Sequence, residues 1–174
     1  GSITGGDAAS SLKLRGRSEG LYSVTLNAAS LSVAHIDLDD GYGRYIAGTG
    51  TLTGVTVKVD GGSGLTLNGD LTATGGAIQL GWCDIDLSSH VLTLDGVNLT
   101  LGASADVMST DSETPGYLVT DGGTTIEQGG AFSVKLEVNA GTTTLQGTFY
   151  DVQIDNPGNI VLNGVATVNG TLNV

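Results

Sequence analysis

The sequence predicts an all-β chain wound as a β-solenoid, with about three short strands in each coil of roughly 20 residues. Three observations carry that expectation: paired apolar residues at strand spacing, glycine-rich corners between them, and a composition that suits no long helix. Leu71, Ile78, Ile85, Leu92 and Leu99 stand seven residues apart. Each opens a pair: Leu71/Ala73, Ile78/Leu80, Ile85/Leu87, Leu92/Leu94 and Leu99/Leu101. A separation of two within a pair is strand geometry, whereas a helix needs three or four. Thr, Gly, Asp and Asn fill the gaps, and they are poor helix formers. Three such units make roughly one coil.

The corners carry turn chemistry. Asn68-Gly69, Asn163-Gly164 and Asn169-Gly170 are Asn-Gly steps, and Asp40-Gly41, Asp60-Gly61, Asp95-Gly96 and Asp121-Gly122 are Asp-Gly steps. Glycine takes positive φ without steric cost, and Asn or Asp tolerates it better than most residues. The same steps also close hairpins, so a two-sheet β-sandwich is the alternative architecture. The spacing favours the solenoid, because sandwich strands recur at about 8–12 residues.

In chain order, 1–174 reads as one domain. Residues 1–20 hold Lys13, Arg15 and Arg17, three of the six cations, and read as a possible N-terminal cap. Residues 39–50, "DDGYGRYIAGTG", set Tyr42, Arg44 and Tyr45 among glycines. Residues 108–117, "MSTDSETPGY", are polar, hold Pro115, and read as a lateral loop. Gly1-Ser2 reads as a cloning remnant, so the natural chain is expected to be longer.

The charge balance narrows the function. The 174 residues carry 18 Asp plus Glu against 6 Lys plus Arg, a net charge of -12. Six scattered cations make no basic patch for nucleic acid or anionic membranes. Cys83 is the only cysteine, so no internal disulfide is possible, and no apolar run is long enough for a membrane-spanning helix. The Gly-, Thr-, Asn- and Ser-rich composition points to an extracellular or cell-surface protein.

Four carboxylates are candidate metal ligands: the pairs Asp37/Asp39 and Asp84/Asp86. Within a strand both members of a pair face one way, opposite Leu38 or Ile85. Adjacent outward carboxylates can bind calcium or do acid/base work; the plainer account is a solvated face. Calcium is the one cofactor the sequence allows for, and no other is expected. Gly61-Gly62-Ser63-Gly64-Leu65-Thr66-Leu67 resembles the calcium-binding nonapeptide repeat, but Thr66 stands where its Asp ligand belongs. Tyr42, Arg44, Tyr45, Trp82 and Tyr117 are candidate ligand-binding residues, since aromatic faces stack on sugar C–H groups. Thr51/Thr53, Thr72/Thr74 and Thr142/Thr144 are Thr-x-Thr pairs, too irregularly spaced for an ice-binding array. His35 and His90 are far apart, and no nucleophile motif accompanies them. No catalytic set is expected.

The last 26 residues, "FYDVQIDNPGNIVLNGVATVNGTLNV", resemble repeat segments of large secreted bacterial surface proteins of the adhesin and autotransporter-passenger kind. Residues 51–105 resemble them more loosely. The resemblance implies a right-handed parallel β-helix in an extracellular stalk or adhesive region. The segment "ITGGDAASSLKLRGRSEG" resembles phage tail-fibre proteins. Polysaccharide-cleaving β-helices are not matched: the Asn-Thr-Asp, His-Gly and Arg-x-Lys signatures of the pectin hydrolases are missing.

The expected function is therefore a non-enzymatic structural or adhesive module, a rod-like segment of a surface protein or fibre. A carbohydrate- or receptor-binding tip domain is the alternative. Expected partners are further copies or a longer chain through open solenoid edges, and a glycan.

Overall fold

The computed structural model describes the backbone of residues 4–5, 12–15, 22–25, 30–33, 35–39, 44–47, 50–54, 56–60, 65–155 and 158–174. Side chains are described for 51–54, 56–57, 65–155 except 128, and 158–174.

Three parallel sheets form three faces of one stack. The first face holds β1 (Thr4–Gly5), β4 (Ser30–Val33), β7 (Gly50–Thr53), β10 (Leu71–Thr74), β13 (Val91–Asp95), β16 (Tyr117–Asp121), β18 (Lys135–Ala140), β20 (Asp151–Ile154) and β22 (Leu172–Asn173). The second holds β2 (Leu12–Arg15), β5 (His35–Asp39), β8 (Thr56–Asp60), β11 (Ala77–Leu80), β14 (Asn98–Leu101), β17 (Thr124–Ala131), β19 (Thr142–Phe149) and β21 (Asn159–Val168). The third holds β3 (Tyr22–Thr25), β6 (Arg44–Ala47), β9 (Leu65–Asn68), β12 (Ile85–Asp86) and β15 (Val107–Met108). The chain visits the faces in turn, so each strand pairs with the strand one coil away. This is a β-solenoid. Parallel pairing throughout excludes the sandwich, whose sheets are antiparallel. Within 1–20, β1 and β2 pair into the same first and second sheets as the later coils.

The seven-residue spacing has a simple geometric meaning. Leu71 lies on the first face, Ile78 on the second, Ile85 on the third, and Leu92 returns to the first beside Leu71. Three sevens close a coil. Leu31, Leu52, Ala73 and Leu94 are accordingly in register at 21-residue intervals. On the second face Val57, Ile78, Leu99, Ile126 and Leu145 stack, and all are buried. Each buried Leu, Ile or Val contributes roughly 1.5–3 kcal/mol over exposure. Polar residues inside are matched: the hydroxyls of Thr120 and Thr143 bond at 2.8 Å, and Thr124 donates to the Leu94 carbonyl at 3.0 Å.

Beyond residue 101 the coils change length. Leu94 is in register with Thr120, Thr120 with Val138, and Val138 with Ile154. The first of these coils is longer than 21 residues because of the 109–116 loop. The later ones are shorter, and they depart from three strands per coil. There β17, β19 and β21 are long strands that turn a corner and serve both the second and third faces. Register shifts mark the bends, near Gly129-Gly130, Gly147 and Gly164. Asn163-Gly164 therefore bends a strand instead of ending one. Past the bend, Phe132 continues from Val107, and its ring lies 5.2 Å from that of Phe149.

One corner is a column of glycines. Gly54, Gly75, Gly96, Gly122 and Gly141 each follow a first-face strand, with φ between +63° and +89°. The inter-coil bonding runs on through it: the Gly54 amide donates to the Thr74 carbonyl and the Gly75 amide to that of Asp95, both at 2.7 Å. A Cβ on Gly141 would lie 2.6 Å from the Gly122 Cα. Gly141→Ala is expected to cost about 1–3 kcal/mol, seen as a lower urea midpoint. Gly123→Ala, whose Cβ would meet nothing within 4 Å, is the control and should stay within about 0.5 kcal/mol.

Candidate functional site

The outward carboxylates belong to the corners. Ile85 and Leu87 are fully buried while Asp84 and Asp86 are half-buried, as alternation requires. The Asp84 carboxylate accepts the Asp106 amide of the next coil at 2.9 Å. Asp86 uses both oxygens: Oδ1 accepts the amides of Ser88 and Thr110 at 2.8 and 3.0 Å, and Oδ2 accepts the Thr110 hydroxyl at 2.8 Å. Three aspartates that sequence reasoning did not single out do the same. Asp70 accepts from the Val91 amide, Asp106 from Ala131 and Asp151 from Thr171. Apart from the Asp86–Ser88 bond, each joins one coil to the next, and an ionised acceptor strengthens it. Among the described residues no group of three or more His, Cys, Asp or Glu is placed to hold a metal ion.

Asp37 and Asp39 lie in β5, where only the backbone is described. Asp37 is in register with Lys13 on one side and Lys58 on the other, and Asp39 with Arg15 and Asp60. The threonine pairs separate. Thr51/Thr53 and Thr72/Thr74 stack on the first face, but the next coils put Thr93/Asp95 and then Val119/Asp121 there. Thr142/Thr144 lies on the second face.

The loop at 109–116 is tied down at both ends. The Gly116 amide donates to the Ser88 carbonyl at 2.8 Å and to the Ser109 hydroxyl at 3.1 Å. Ser88, at φ +52°, is the one described non-glycine residue with positive φ. Asp111 closes a turn within the loop by accepting the Glu113 and Thr114 amides at 3.0 and 2.9 Å. Those bonds hold its carboxyl below the usual carboxylate range, the Thr114 amide contributing most.

The candidate aromatic residues do not converge. Tyr42 lies outside the described residues. Arg44 and Tyr45 are in β6, in register with Leu65 and Thr66; their side chains are not described. Trp82 is 83% exposed and sits at the corner between the second and third faces. Tyr117 sits at the corner between the third and first faces, and there the structure assembles a different site.

That corner forms a groove of about 340 Å³ from three successive coils. Gly116-Tyr117 comes from one coil, Ser133 to Lys135 from the next, and Tyr150-Asp151 from the third. They meet because Leu118, Leu136 and Val152 stack inside, which aligns the residue before each at the rim. The Lys135 ammonium lies 4.9 Å from the centre of the Tyr117 ring and pairs with the Glu137 carboxylate. Tyr150 is 53% exposed. Sequence reasoning found Tyr117 but missed Lys135 and Tyr150. One signal was present: Lys135 is the only Lys or Arg after residue 58.

The end of the stack is a second notable surface. Residues 158–174 contain no charged side chain. Leu162 is in register with buried Leu145, and Leu172 with buried Val152. Yet Leu162 is 61% and Val165 80% exposed. Comparison with known proteins found no matching family model, no matching curated protein and no matching solved structure.

Asp86→Ala is expected to loosen the loop, costing about 1.5–3 kcal/mol and speeding hydrogen exchange at the Thr110 amide. The loss should be equal in EDTA and in calcium; a loss confined to calcium would return Asp86 to a metal role. The folded-state pKa of Asp111 lies below its unfolded value, so its contribution is present above the usual carboxylate range and is lost as pH falls through the folded pKa. Amide shifts of Glu113 and Thr114 should therefore hold on acidification into that range and move only below it.

Proposed function

We propose that this chain is a non-enzymatic structural and adhesive module, a rigid segment of an extracellular surface protein or fibre. The observation that carries this reading is the inter-coil register, which passes from strand to strand through all three sheets. A stack of this kind transmits force along its axis through rows of backbone hydrogen bonds. Half-buried carboxylates that staple one coil to the next support the same reading, because they serve the scaffold.

The uncharged last rung supports joining at that face, to a further coil or to a second copy. Edge strands are normally protected by charge, proline or a cover; the exposed Leu162, Val165 and Leu172 lie on a rung without charge. Like copies at a net charge of -12 repel one another in general, and an uncharged surface is where they can meet.

The second reading is a carbohydrate- or receptor-binding tip domain. The groove of Tyr117, Lys135 and Tyr150 favours it, with an exposed aromatic ring beside hydrogen-bonding groups. Calcium is not needed by either reading.

Sedimentation velocity tests the joining. The 174-residue chain should associate with rising concentration, and Leu162→Lys with Val165→Lys should abolish this by placing like charges at the contact. These side chains are exposed, so thermal unfolding of the double variant should stay near wild type. A wild-type chain that remains monomeric at high concentration would sink self-association.

A further inference from the structure

The groove at the corner between the third and first faces offers a defined set of groups. Tyr150 is 53% exposed and presents apolar ring surface. Lys135 is fixed by Tyr117 and Glu137; an ammonium carries three N–H donors, and Glu137 takes one. Asp151 Oδ1 accepts the Thr171 amide at 2.7 Å, and its carboxylate has two acceptor oxygens. Apolar ring, donor and acceptor thus share one groove, spread over two adjacent coils about 4.8 Å apart. Its volume of about 340 Å³ lies at the small end of ligand sites, which run to ~1,000 Å³.

We propose that this groove binds a neutral hexopyranose segment of a polysaccharide. The proposal rests on the carbohydrate-binding reading above and names its site and ligand class. A pyranose has a C–H face that packs on an aromatic ring, and hydroxyls that both donate and accept. Tyr150 takes the C–H face, Lys135 donates to a hydroxyl oxygen, and Asp151 accepts from a hydroxyl. Charge decides for a neutral sugar. Lys135, Glu137 and Asp151 together carry one net negative charge, within a chain of net charge -12. A uronic or sulfated unit is repelled by that field.

Isothermal titration calorimetry of the 174-residue chain, in EDTA, tests this. The probes are neutral hexasaccharides of β-glucan, α-glucan, β-mannan and β-galactan, with hexagalacturonate as the acidic probe. At least one neutral probe should bind, and hexagalacturonate should not. Tyr150→Ala and Lys135→Met should each weaken binding about tenfold, while Trp82→Ala leaves it unchanged. Thermal unfolding of each variant separates lost binding from lost folding. Undiminished binding by well-folded Tyr150→Ala and Lys135→Met overturns the groove. Loss on Trp82→Ala alone also overturns it but leaves carbohydrate binding standing at the other corner. Binding of hexagalacturonate alone overturns the neutral-sugar assignment. Binding to no probe overturns the proposal, and a blank glycan array then removes the carbohydrate reading as well.

Discussion

Parallel pairing between coils is the interaction on which the rest depends. Among the described strands none pairs with its neighbour in sequence; the partners lie one coil before and one coil after. Each coil must therefore return the backbone to register, or two rows of peptide groups lose their bonds together. The glycine column at the corner between the first and second faces meets that demand. Five consecutive coils turn there with the same left-handed backbone, and each turn stacks on the last. Side-chain burial follows from the same register, since residues aligned by the backbone form the inward ladders.

The aspartates extend this logic to the corners where the ladder is interrupted. Where the chain leaves a strand, amides lose their sheet partners. A carboxylate from the preceding coil supplies the acceptor instead, as Asp84 does for Asp106 and Asp86 for Thr110. The long loop at 109–116 is accommodated in this way without disturbing the Leu92–Leu118 pairing beneath it.

Stacking also builds surface sites from residues remote in sequence. Tyr117, Lys135 and Asp151 come from three coils of unequal length, yet meet at one rim because Leu118, Leu136 and Val152 stack beside them. The stacked core holds this part of the rim, and Pro115-Gly116 at the end of the loop complete the lining.

The repeat is legible in the residues alone. Seven-residue spacing, strand-type pairs and glycine corners imply three short strands per coil, because side-chain alternation and turn chemistry are local properties. The inward set from Leu65 to Leu101 is legible for the same reason. Which residues stand above one another once the repeat is broken is set by the fold. The change after residue 101 depends on a loop inserted in one coil and on bends at Gly147 and Gly164 that let one strand serve two faces. Such shifts are invisible to local patterns, since register is fixed by pairing partners many residues away. The Asp86–Thr110 staple and the Tyr117–Lys135 contact exist only after that register is set.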